Sequence, residues 1–359
     1  MINKILEYDD LWTYLKGSTK PIVLYGMGDG ADKVLDVCNE KNIKISGVFA
    51  SDGFSKNKIF RSYEVTDYST VKQKYKDFIV LLSFASSRDE VIENILKIAS
   101  ENELYCPDVP VFGNGLFDKE FIVENFEKFK EVYECLSDSL SKQNYVNIIL
   151  GKMTGNINYL IKAETTVNEA YNSIIKPSYD SHYVDIGAYN GDTIREFISY
   201  CPACRKITAF EPDIKNYKKL CGYANEAGID ISGLYNIAAW DKKEILTFYS
   251  RSGRNSAGTT SHKNVKSIQV QADRVDSYIT SKVDFINIDA EGSDKNALFG
   301  LTETINKYKP CISCAVYHRN EDMFEIPLLL KKLYGQCNIY IRHFKYFPAW
   351  DTNVYVTAQ

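Results

Sequence analysis

The chain has 359 residues, 45% of them apolar and 25% charged, which is ordinary for a globular protein with a full core and room for two domains. A formal charge of -4 argues against a nucleic-acid or anionic-membrane protein, and the longest apolar run, Phe78 to Ala85, is too short to span a bilayer. No signal peptide is read at Met1-Ile2-Asn3-Lys4, and nine cysteines read as reduced thiols, so a cytoplasmic protein is expected.

A short helix opens the chain, followed by a strand-glycine-helix unit over Lys20 to Ala31 with Gly26, Gly28 and Ala31 in Gly-x-Gly-x-x-Ala spacing. Strands are expected at Ile43 to Phe49, ending near Asp52, at Phe78 to Ser83 and at Val109 to Phe112, with a helix from about Ser87 to Ser100. This alternation predicts a small parallel α/β domain over residues 1–115. A Gly-x-Gly fingerprint alone is a weak sign of an NAD or nucleotide-sugar pocket. The unit is therefore read as a scaffold whose removal leaves a second pocket intact. Tyr68 and Lys72 have the spacing of a dehydrogenase pair but lie before the third strand.

Residues 116–176 turn helical, with Phe121, Phe126, Phe129, Val132, Tyr133 and Leu136 at three- and four-residue steps and another helix around Asn144 to Leu150. Pro177 marks the start of a third segment, 177–359. Its first stretch, His182 to Phe197, reads as strand, glycine turn and helix, with Gly187 and Gly191 in the turn and Asp192 and Thr193 opening the helix. A second strand, Ile207 to Phe210, ends in Glu211, Pro212 and Asp213, and an acid there is placed for ribose hydroxyls. The wide turn with an acid in it repels a diphosphate and suits a sulfonium and an amino group, as in S-adenosylmethionine (SAM).

A helix from Asn216 to Ala227 and a third strand plus loop over Gly233 to Trp240 follow. Strands Ile245 to Tyr249 and Ile268 to Gln271 flank Ser250 to Lys266, which reads as a lid or a surface loop. Val283 to Asp289 places Asp289 and Glu291 at the carboxyl end of a central strand; a helix cap by Asp289 or Ser293 is the alternative. Cys311 to Val316 delivers Tyr317 and His318 to the same edge, and Ile339 to His343 with Asn353 to Thr357 forms a terminal hairpin. Of two Cys-x-x-Cys pairs, Cys201/Cys204 and Cys311/Cys314, the second lies in a strand that would point its thiols to opposite faces, so buried thiols are expected instead of zinc.

Tyr183 to Thr193, Ala209 to Asp213, Phe285 to Gly292, Tyr317 to Asp322 and Tyr340 to His343 together resemble the FkbM family of SAM-dependent methyltransferases, over roughly Val132 to the C-terminus. The resemblance implies a class I methyltransferase fold: Rossmann-like α/β, mostly parallel, with a C-terminal antiparallel hairpin. It would follow a smaller N-terminal Rossmann-like α/β domain. It implies SAM held by Asp185, Gly187, Ala188, Gly191, Asp192, Thr193, Glu211, Pro212 and Asp213, with Ala238 and Ala239 at the adenine. It further implies O-methylation of a small-molecule or glycan acceptor. Of the four histidines, His318 is ranked first as base or acceptor ligand, then Glu291 and Asp289, with His343 behind. Asp289 and Glu291 are also oxygen ligands to which a metal is not assigned, and a homo-oligomer is left open. The rival reading is an NAD-dependent sugar-modifying enzyme or nucleotide-sugar-binding protein run from residues 1–115, with a degenerate methyltransferase fold as its scaffold.

Overall fold

A computed structural model describes residues 1–51, 58–113, 115–250 and 266–359. In the first unit, β1 (Ile22–Tyr25) is four consecutive buried apolar residues, the signature of a strand covered on both faces. Around it β2 (Ile45–Ala50), β3 (Ile59–Phe60), β4 (Tyr63–Asp67), β5 (Ile79–Leu82) and β6 (Glu103–Tyr105) complete a sheet in the order β3-β4-β2-β1-β5-β6. All pairs are parallel except β3 with β4. The expected strand at Val109 to Phe112 does not form; Glu103–Tyr105 fills that sheet edge instead. Pro110 offers no N–H to a ladder, and the Phe112 N–H is spent on the His318 carbonyl of the second unit.

The second unit holds β7 (His182–Ile186), β8 (Lys206–Phe210), β9 (Leu234–Tyr235), β10 (Ala238–Trp240), β11 (Glu244–Ser250), β12 (Lys266–Arg274), β13 (Phe285–Ile288), β14 (Cys311–Ala315), β15 (Cys337–His343) and β16 (Thr352–Ala358). Seven of these make one sheet in the order β15-β16-β14-β13-β7-β8-β9, in which only β16 runs antiparallel to its neighbours. This is the expected class I methyltransferase fold, terminal hairpin included. The predicted third strand splits: after Tyr235 the chain leaves the main sheet, and β10 pairs with β12 in a separate sheet ordered β10-β12-β11. Most of the Ser250 to Lys266 loop, including His262, lies outside the described residues.

Between the sheets, the helix Ser139–Thr154 starts on the Asp138 carboxylate, which accepts from the Ser141 N–H, and ends at Gly155 with φ of 66°. Its residues are buried on most sides because it lies inside one apolar cluster running from Ile2 through Val23 and Ile149 to Ile286 and Val356. Both sheets therefore share a core. Two buried cations pin the joint. Lys152 meets Asp108 at 2.8 Å, the two side chains 2% and 5% exposed. Arg342 on β15 binds Glu169 through Nε and Nη2 and also reaches Asp138 and Ser141. Arg342→Ala should lower stability by about 3 kcal/mol, since it strands two carboxylates around a hole. A melting temperature within a degree of the parent's would contradict that.

Among the described residues no helix is long and apolar enough to cross a membrane.

Candidate active site

The glycine turn after β7 is tied to the next strand, with the Gly187 and Ala188 N–H groups both donating to the Phe210 carbonyl. Gly187 sits at φ of 85°, and a Cβ there would fall 1.9 Å from the Asp289 carbonyl oxygen. The turn thus passes hard against the end of β13, where only glycine fits. Asp185, fully buried, accepts from Thr193 Oγ1 and, at 3.2 Å, from Asn287 Nδ2, so the strand, the helix start and β13 are locked together. Glu211, 5% exposed, accepts from the Tyr189 N–H and the Asp213 N–H, both at 2.8 Å. A carboxylate has four acceptor positions, so Glu211 keeps room for a ligand's hydroxyls.

Burial pushes the Asp185 carboxyl up to about 6 and that of Glu211 to about 7. For each, the folded state holds its proton to higher pH than the unfolded chain, so its contribution to stability is full below about 4 and is lost as pH rises through the folded value. Asp185→Asn removes one such group while still able to accept from Asn287 and donate to Thr193. The variant's melting temperature should therefore gain on the parent's as pH rises from about 4 to about 6. A constant or shrinking difference would contradict this.

The second half of the pocket lies across the Gly187–Asp289 contact. Asp294 accepts from the Ala290 N–H at 2.8 Å and the Gly292 N–H at 3.1 Å, taking the turn-closing role that the sequence suggested for Asp289 or Ser293. Its Oδ2 also accepts from His318 Nδ1 at 2.8 Å. His318 is 1% exposed, and its Nε2 faces Asp289 Oδ1 at 3.1 Å and Glu291 Oε2 at 3.9 Å. Burial opposes charge on this ring, but the flanking Asp294 and Asp289 carboxylates outweigh it and hold its pKa well above the usual histidine range. Asp289 is held below the ordinary carboxylate value by His318 and by the Tyr317 hydroxyl, which donates to it, despite burial acting the other way. Glu291, at φ of 51°, is pushed up to about 7 by desolvation and by the Asp289 charge, although its side chain still reaches solvent. Phe112 from the first unit closes the back of the cluster, its ring edge-on to His318 and against Gly292.

Other expected site residues are occupied elsewhere. Asp213 caps the helix Ile214–Ala227, accepting from the Lys215 and Asn216 N–H groups. Pro212 lends its carbonyl to Asn236, and Asp192 accepts from the adjacent Thr193 N–H. Gly191 opens the helix at φ of 85°, with Tyr223 closing over it. Ala238 and Ala239 are buried on β10. His343 is buried with Nδ1 on Thr352 Oγ1, and burial drives its pKa down to about 3, so it sits in the core as a neutral ring. In the first unit, a Cβ at Gly26 or Gly30 would strike Ser83 at 2.6 Å or 2.4 Å, which accounts for those glycines by packing. Tyr68 and Lys72 both bond Glu101. The Cys201 and Cys204 thiols donate to the Ser178 and Ser181 carbonyls.

The glycine turn and the β13 end together gather acceptor oxygens. Asn190 Oδ1, in the glycine turn, is buried without a partner, and Glu211, Asp289 and Glu291 add carboxylate oxygens. Such a set fits a ligand rich in hydroxyl and amino donors and carrying positive charge, as SAM does, and repels a diphosphate.

Residues 185–345 match the family model of the methyltransferase FkbM domain. The second unit is an FkbM methyltransferase domain. The structure of the methyltransferase FkbM from Methylobacillus flagellatus KT is similar over 96% of this chain and 92% of that one, at a TM-score of 0.71 and 17% identity. The likeness in fold therefore takes in the first unit as well as the methyltransferase domain. More distant are an rRNA methylase from Streptococcus thermophilus (TM-score 0.35, 12% identity, 55% and 98% of the two chains) and Aeropyrum pernix fibrillarin in complex with SAM (0.33, 11%, 53% and 72%). No curated protein sequence matches the chain.

Proposed function

We propose that this protein is a cytoplasmic SAM-dependent O-methyltransferase acting on a sugar, a glycan precursor or a related polyhydroxylated small molecule. The observation that carries the reading is Glu211: a buried carboxylate at the tip of the strand beside the glycine turn, held by two backbone N–H groups and with acceptor positions to spare for hydroxyl donors. SAM would bring a methyl group already activated on a positively charged sulfur. Glu211 would hold ribose hydroxyls, Asn190 Oδ1 an amino group, and Gly187, Ala188, Gly191, Asp192 and Thr193 would shape the turn around them. Pro212 and Asp213 would set the Glu211 loop, and Ala238 and Ala239 would close the adenine side.

On the acceptor side, His318 has both ring nitrogens turned to carboxylates, so it is better placed to hold Asp289 than to take a proton. Glu291 and Asp289 are then the groups left to orient the acceptor hydroxyl and receive its proton. A SAM-consumption screen over nucleotide sugars and simple glycans tests the reading. Turnover confined to amine or carboxylate acceptors would remove the O-methylation claim.

A further inference from the structure

The His318 Nε2 atom and the Asp289 Oδ1 atom lie 3.1 Å apart, and both are buried, yet neither makes an aligned hydrogen bond. Two buried polar atoms left without an aligned partner call for a third body beside both. Two ligands at right angles on an ion, each about 2.1 Å away, are about 3 Å apart. Glu291 Oε2, 3.9 Å from the same nitrogen on a side chain that leads to solvent, is a further oxygen that can turn in toward such an ion. Asp294, itself fixed by the Ala290 and Gly292 N–H groups, accepts from Nδ1–H, so an arriving cation need displace only the Nε2 proton, and the lone pair freed there faces the two carboxylates. A carboxylate behind a histidine is the support that metal-binding imidazoles use. The His318 ring cannot swing away, being 1% exposed with the Phe112 ring edge-on to it.

We infer that His318 Nε2, Asp289 and Glu291 form a site for one divalent first-row transition cation, oriented by Asp294. An imidazole ligand beside two carboxylates suits the Mn²⁺ to Zn²⁺ series better than Ca²⁺ or Mg²⁺. A cation there would hold an acceptor hydroxyl oxygen and make its proton easier to lose. That role rests on the methyl-transfer reading, whereas the site itself rests on the geometry of these four side chains alone.

The test is binding of Mn²⁺ to intact, chelator-stripped protein, read by the loss of the free-ion electron paramagnetic resonance signal. Mn²⁺ is chosen because the chain's nine cysteines would compete for zinc. One site per chain is expected. Glu291→Gln, at a solvent-reaching side chain that folds regardless, should weaken it at least tenfold, and Asp294→Asn by about 10- to 100-fold. Absence of any specific Mn²⁺ site, or a site unchanged in both Glu291→Gln and Asp294→Asn, overturns the inference. Either result leaves the methyl-transfer reading standing, since SAM binding is measured separately.

Discussion

A chain lacking residues 1–115 should fail to give folded, ligand-binding protein. The apolar cluster that includes Val184, Ile286 and Ile312 of the second sheet also takes in Ile2, Val23, Val80 and Cys106, so the cut would expose a core face rather than a surface. It would also remove Asp108, leaving the buried Lys152 ammonium without its carboxylate, a loss of about 3–5 kcal/mol by itself. Phe112, 3% exposed and packed on His318 and Gly292, goes as well, and truncating a buried phenylalanine costs about 3–5 kcal/mol. These two losses alone, about 6–10 kcal/mol, match the roughly 5–15 kcal/mol stability of an ordinary domain, before the exposed core face is counted. Soluble expression and circular dichroism of the truncated chain check the expectation. A truncation with native-like secondary structure and unchanged SAM affinity would contradict it.

Glu291→Gln should leave SAM affinity within a few-fold of the parent's and lower turnover by about 10²- to 10⁴-fold, the range for losing a positioned proton acceptor. The substitution keeps the side chain's length and alters no hydrogen bond of the turn, which Asp294 closes. Single-turnover rates at saturating SAM separate the chemical step from binding. Full turnover in the variant would remove Glu291 from the mechanism.

Much of the second unit was legible in the sequence because its chemistry is local. The run Tyr183 to Thr193 states a strand, a turn and a helix start in order, and Glu211 follows at the distance that one helix and one strand impose. The end of β13 and the terminal hairpin were readable for the same reason. What escaped depends on contacts between distant segments. Nothing in Val109 to Phe112 says that its N–H donates to His318, so a strand was expected there. His318 follows the strand that the sequence indicates, but burial of its ring between Asp289 and Asp294 is set by three elements meeting. His343 likewise sits in the core because the β15–β16 register sets it opposite the buried Thr352. Asp351, 62 residues after Asp289, carries no such local signal, yet burial and the Asp289 charge push its carboxyl up to about 7.

The most direct measurement is a calorimetric titration of SAM and S-adenosylhomocysteine into the intact protein and into Glu211→Ala. The account predicts one site per chain in the parent. In the variant, loss of the charged acceptor should weaken binding by about 1.5–3 kcal/mol, or roughly ten- to a hundredfold. No SAM binding to well-folded protein, or an affinity indifferent to Glu211→Ala, would contradict it.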